Sequence, residues 1–257
     1  MNVFRSIVFS AVVAGFAVGA AITVIQQFGT VPLILKAEVY EKAAGHQHET
    51  ESAGAPSELA NAAGHDHAEP ANAEHEHGSE AWEPHDGLER NAFTAGANVL
   101  TAIGFALILA SLFAIHGGGA DQRISWHQGL VWGLAGFVVF TIAPGLGLPP
   151  ELPGVAAAPL LSRQIWWVMA ALATAGGLSL IFLRQTAPAA IAGLILIILP
   201  HLIGAPELEN VQTNVPTSLS HQFVIAVTLT SLVFWSMLGS LTGIAFAYFD
   251  RPETSAV

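Results

Sequence analysis

The chain has 257 residues, 53% hydrophobic and 11% charged, with a mean hydropathy of +0.56. Soluble domains carry about 25% charged residues, so the composition argues against a soluble domain and points to a bilayer. The net charge of −11 argues against a nucleic-acid partner, whose phosphates need neutralising cations, and the absence of cysteine rules out disulfides, thiolate metal sites and Cys nucleophiles.

About 20 apolar residues cross a hydrocarbon core. The first such window, residues 7–25, is uncharged and follows Arg5. It exceeds the 7–15 residues usual for a secretory h-region and lacks a polar, small-residue cleavage zone, so it reads as a retained span. Behind it comes VPLILKAEVYE, which sets Glu38 and Glu41 at the membrane interface.

Next is a polar insert. Between Lys36 and Arg90 lie 13 Asp/Glu, three Lys/Arg and seven of the 11 histidines, so nearly all of the net charge sits there. The stretch from about Glu41 to Glu89 has few large apolar residues, and its composition predicts a disordered loop. Three His-x-His pairs punctuate it: His46/His48, His65/His67 and His75/His77, with His85 alone beside Asp86. In an extended chain, residues i and i+2 share a face, so each pair can chelate one ion. Neutral imidazole suits cobalt, nickel, copper and zinc, and Asp66, Glu74 and Glu76 add oxygen ligands or balance charge. Three pairs within 32 residues favour labile metal capture over an incidental solvated loop. Capture of this kind weakens in acid, because protonated imidazole is no ligand.

Further apolar windows follow at 92–115, 128–148, 164–183 and 222–249, with a shorter run at 189–204 that Pro200 and His201 interrupt. The chain therefore reads as an all-α integral membrane protein, a bundle of six transmembrane helices, or five if the Pro200 run is re-entrant. The segments are residues 1–35 (first span and interface), 36–90 (His-rich acidic insert), 91–251 (bundle) and 252–257 (tail). Small residues four apart, at Gly15/Gly19, Gly129/Gly133 and Gly239/Gly243, suit close helix packing. With six spans, Arg5, Arg123, Arg184 and Arg251 share one side in short segments. Basic residues mark the cytoplasmic side, so both termini are expected there and the insert outside. With five, the C-terminus moves outside.

Two more polar stretches are expected on the insert's side. APGLGLPPELPG carries Glu151 among Pro144, Pro149, Pro150 and Pro153, which should prevent a helix; irregular backbone at such depth lines cavities. LPHLIGAPELE presents His201, Glu207 and Glu209. Isolated polar groups near membrane depth are costly, which favours function at Glu151 and His201. Glu38, Glu151, His201 and Glu207 outline a candidate path for a divalent ion, whereas interfacial anchoring accounts for Glu41 and Glu209. On the other side, His116 and His127 flank HGGGADQRISWH and are ordinary solvated loop histidines unless they receive an ion on exit. His221 at the start of the last span has no assigned role.

Four stretches, QQFGTVPLILKAEVYE, WGLAGFVVFTIAPGLGLPPELPG, RQIWW and LPHLIGAP, resemble the CbtA family of probable cobalt transporter subunits. PPELPG is the most specific of these markers, and the similarity runs from the first span to the last. The resemblance implies cobalt uptake at a bacterial inner membrane, an association with cobalamin synthesis and a small one-span, His-bearing partner of the CbtB kind. The leading expectation is a membrane subunit for uptake of Co2+, with Ni2+ or Zn2+ as other cargo and no permanently bound cofactor. The alternative is a non-transporting metal receptor or buffer that delivers to another permease. No G-x-x-x-x-G-K-[ST] occurs, so there is no Walker-type nucleotide hydrolysis. A haem enzyme would need facing axial histidines inside spans, and the four histidines outside the insert sit at span ends. The expected surroundings are lipid, with no enzyme activity and no nucleic acid.

Overall fold

The computed structural model describes residues 3–52, 84, 85, 87–116, 124–208 and 213–250, with residues 44–52 described by backbone alone. The described residues are helical, with no strand among them: α1 (Val3–Phe28), α2 (Val31–Ser52), α3 (Leu88–His116), α4 (Trp126–Phe137), a π-helical turn (Val138–Ile142), α5 (Ala143–Gly147), α6 (Leu160–Arg184), α7 (Ala187–Ile203) and α8 (Thr217–Phe249). Five apolar helices are long enough to cross a membrane: α1, α3, the continuous rod Trp126–Gly147, α6 and α8. In a bilayer all backbone polar groups must pair internally, which helices do within one segment.

α1, α3, α4 and α8 make the core. α1 lies along α3 and α8, and α4 along α8. The small-residue spacings bring backbones together here, because a Cβ on Gly15 would stand 2.6 Å from the Ile103 Cα and one on Gly239 would stand 2.7 Å from the Gly133 Cα. Between the helices, Val18, Phe113, Trp235, Leu238 and Phe246 are buried. Phe140 of the π turn stacks on Trp235, ring centroids 5.5 Å apart, and joins this core to the rest. At the start of α4, Ser125 Oγ accepts the Gln128 N–H while the Gln128 side chain accepts the Ser125 N–H, a reciprocal cap that satisfies two donors the helix leaves open.

The run expected at 189–204 forms α7, a helix of 17 residues, about 25 Å long at 1.5 Å per residue. A two-residue turn, with Gln185 in the left-handed conformation (φ 48°), folds it back onto α6. Gly177 faces Gly193 near the turn, and Trp166 Nε1 donates to the Pro200 carbonyl (3.2 Å) near the open end, so α7 retraces most of α6. The chain therefore returns to the end where α6 began before α8 starts. Consistent with that, Ser6 Oγ donates to the Phe249 carbonyl (3.0 Å), which puts the start of α1 and the end of α8 at one end of the bundle. A five-pass path would have separated them.

Three local expectations change. Pro200 does not interrupt its run: α7 continues through it to Ile203 with one backbone donor lost at the prolyl nitrogen, and α6 ties the helix at that point, Trp166 Nε1 donating to the Pro200 carbonyl. Pro144 is helical too. It follows the π turn, where the Ala143 N–H already reaches back to Val138 and the register is widened, while Pro149, Pro150 and Pro153 do stand in non-helical backbone. Finally, the polar insert is helical at its start. α2 runs to Ser52 because EKAAGHQHETES is rich in helix formers, so the segment boundary expected after residue 35 falls inside α2.

Candidate functional site

A cavity of about 940 Å³ opens beside the π turn. The π turn and α5 form one wall, the first two turns of α6 a second, and residues 224–231 of α8 a third. The loop 148–155 closes one end, and its three prolines fix the backbone that carries Glu151. Leu152 anchors this loop: it is 3% exposed and packs in a cluster with Ala37 of α2, Val215 just before α8, and Leu219 and Phe223 in the first turns of α8. The lining is mainly apolar, with Thr141, Gln164, Thr228 and Ser231 adding hydroxyl and amide oxygens. Among the described residues, Glu151 and Arg163 are the charged members of the lining. Arg163 Nη1 donates to Glu151 Oε2 at 3.0 Å, and each side chain is about one-third exposed.

The polar insert is moored at the same end. Glu41 of α2 lies against Gly154, where a Cβ would come within 3.2 Å of the Glu41 Cβ. On the far side of the insert, Arg90 of α3 reaches back to Glu38 of α2 with two nitrogens on two oxygens, a bidentate pair. That pair clamps the two ends of the insert together. Below it, Asn98 Nδ2 donates to Gln26 Oε1 (2.7 Å) and Thr23 Oγ1 (3.0 Å), and Gln27 Nε2 to Asn91 Oδ1 (3.1 Å), tying α1 to α3. His85 pairs with Glu89 at 2.9 Å in an exposed position.

The expected path residues separate. Glu151 lines the cavity. Glu38 is engaged by Arg90. His201 is not in the lining: its Nε2 is 2.9 Å from the Ala143 carbonyl and its Nδ1 3.1 Å from the Ile197 carbonyl. The ring, edge-on to Trp166 at 5.8 Å, ties α7 to α5. A neutral imidazole donates to one of these carbonyls and an imidazolium to both. Either way the ring is held against backbone carbonyls of α5 and α7 and outside the cavity lining. Glu207 is exposed beyond α7. Among the described residues, no three His, Asp or Glu side chains converge on a point that would hold a metal ion.

Of the insert's histidines, His46 and His48 fall within α2. A spacing of two on a helix puts positions about 200° apart, so this pair lacks the shared face of an extended chain. His65, His67, His75 and His77 lie outside the described residues, as does Glu209. At the opposite end of the bundle, the His127 ring stacks on Trp126 at 3.5 Å, and His116 Nδ1 approaches the Leu112 carbonyl at 3.1 Å.

Sequence reasoning passed over Arg163 and the hydroxyls of the cavity wall. The signal was present in α8, where Val224, Val227, Thr228 and Ser231 follow the i, i+3, i+4, i+7 spacing of one helical face. The amide ladder of Gln26, Gln27, Asn91 and Asn98 was equally visible as polar residues in or beside apolar windows.

These features define a multi-pass helical membrane protein with a partly polar cavity and an acidic, His-bearing insert moored at that cavity's end. Residues 4–247 match the family described as probable cobalt transporter subunit (CbtA), nearly the whole chain, and the chain belongs to that family. No curated protein and no solved structure matches it.

Proposed function

We propose that this subunit takes up a divalent transition-metal ion, Co2+ with Ni2+ or Zn2+ as competing cargo, and that the His-x-His insert captures the ion before the cavity receives it. The observation that carries the reading is the mooring of the insert: Glu41 rests against Gly154 on the loop that closes the cavity, and the Glu38–Arg90 clamp holds the insert's far end nearby. An ion released from the insert is then already at the cavity's end. Glu151 is the carboxylate that meets it there, with exposed Glu207 adding negative charge to the approach and Glu38, paired with Arg90, bracing the insert beside it. The ion is cargo, and the reading includes no resident cofactor.

In this reading the insert faces outward and the paired termini face the cytoplasm of a bacterium, across its inner membrane. The charge pattern supports that orientation. Arg5 and Arg184 lie in short segments at the end of the bundle where α1 begins, and Lys36, Lys42, Arg90 and Arg163 belong to the acidic opposite end. A divalent cation moving into a negative interior gains about 4.6 kcal/mol per 100 mV, so membrane potential suffices as a driving force. A small one-span, CbtB-like subunit is the proposed partner, and the supply of cobalt for cobalamin synthesis is the proposed physiological role.

The test is radiolabelled cobalt and nickel uptake by cells carrying this chain, with and without the small subunit, beside a variant lacking residues 46–77. Uptake reduced at low metal and preserved at high metal is expected of the deletion. Loss at every concentration contradicts capture, and metal binding without any flux from the intact chain would instead mark a receptor that serves another permease.

A further inference from the structure

The Glu151–Arg163 pair lines the cavity, and its geometry differs from that of the other carboxylate–guanidinium pair at this end of the protein. Arg90 holds Glu38 with two nitrogens on two oxygens, with 35% and 22% of the two side chains exposed. Arg163 holds Glu151 through one nitrogen and one oxygen, at 3.0 Å, with 31% and 34% of the two side chains exposed. Bidentate pairs fix geometry, whereas partly exposed single contacts are weak and exchange readily.

We propose that Arg163 is the gate of the cavity. As a built-in cation it occupies the Glu151 carboxylate, and metal is admitted by exchange, the guanidinium swinging out as the divalent ion takes its place. This inference rests on the transport reading above and deepens it.

Three features support the exchange. Glu151 stays in place, because Pro149, Pro150 and Pro153 stiffen its loop and Leu152 pins it into the cluster under α2. Arg163 is the partner with freedom to swing: it leaves the first turn of α6 on a long flexible stem, lines the cavity and is 31% exposed. Among the described residues these two alone bring charge to the lining, so while they are paired the cavity offers an ion no net charge, and when Arg163 withdraws Glu151 is left uncompensated. Beyond them, the Thr141, Thr228, Ser231 and Gln164 oxygens supply uncharged ligands that replace part of a hydration shell. At about 30 Å³ per water, the cavity volume of 940 Å³ admits an ion with most of its water retained. Such a site binds weakly, as a transit site has to.

The experiment uses the full chain in lipid nanodiscs for equilibrium cobalt binding and the same chain in proteoliposomes or cells for labelled cobalt flux. Arg163→Gln removes the competitor and is expected to tighten one class of cobalt site by about fivefold, the ratio set by a weak exposed pair. Arg163→Lys keeps the competing charge and stays within about twofold of the parent. Glu151→Gln removes that class of site and lowers flux at low cobalt. A loss of equal size in Arg163→Gln and Glu151→Gln would mark the pair as a structural brace and overturn the gate, and so would binding that neither variant changes. Flux absent from the unaltered chain while Arg163→Gln still tightens binding would remove the transport reading and uphold the exchange at Glu151. The two failures are therefore distinguishable.

Discussion

The bundle has two unequal halves. α1, α3, α4 and α8 approach through glycine, interlock around Phe113, Trp235 and Leu238, and are bonded across α1 and α3 by an amide ladder. The α6–α7 hairpin meets the rest mainly through the π turn and α5, with the His201–Ala143 bond, the Trp166–Gly147 packing and the π-turn Phe140 as its links. The cavity lies at this seam. A tightly packed half provides a fixed wall, and a hairpin attached at few places provides one able to shift, which is the arrangement a passage with a controllable width requires.

Breaking the hairpin's attachment should have the largest effect. Trp166 is 4% exposed, fills the space against Gly147 and donates to Pro200. Trp166→Ala is expected to lower stability by about 3 kcal/mol, seen as a lower midpoint in thermal unfolding in detergent, with the α6–α7 turn becoming sensitive to protease first. The fixed half is tested at Gly133, where a Cβ would meet the Gly239 Cα at 3.0 Å. Gly133→Val should cost about 1–3 kcal/mol by overpacking, read in the same unfolding assay, and should destabilise the α4–α8 pair while leaving the hairpin closed. His201→Phe keeps the ring's bulk and leaves the Ala143 carbonyl without its imidazole partner, a loss of about 1–2 kcal/mol. Hydrogen exchange should then rise in α5 and the end of α7 and stay unchanged in α1. Asn98→Leu, which deletes two bonds to α1, should cost about 1 kcal/mol, a small shift in midpoint that sets the lower end of the comparison.

The fold was legible where composition alone decides it. The long apolar windows became helices, and the three small-residue spacings all lie at helix contacts, because in lipid close backbone approach is itself the driving interaction. Proline was the residue misread. At Pro144 and Pro200 local propensity argues for a break, but a π turn widens the register before the first and packing against α6, with Trp166 donating to the Pro200 carbonyl, holds α7 helical through the second, and neither is encoded next to the proline. The site was half legible. A lone Glu151 among prolines stands out in the sequence, whereas its partner twelve positions on looks like an ordinary interfacial arginine until the loop folds back. His201 is the reverse case: its isolation in an apolar run suggested a ligand, and tertiary contact with Ala143 makes it a tie between helices. The start of the insert was misjudged because acidity and helix propensity coincide in Glu-, Lys- and Ala-rich sequence, and the charge drew attention first.

The account depends on the insert and the mouth of the cavity opening on one side of the membrane, outside, with the α6–α7 turn on the other. The chain contains no cysteine, so single cysteines placed at Ala62, Ala156 and Gln185 can be probed in intact cells with a membrane-impermeant maleimide. Labelling of the first two in intact cells, and of the third only after permeabilisation, is the predicted result. Labelling of Ala62→Cys and Ala156→Cys from opposite sides would contradict the account.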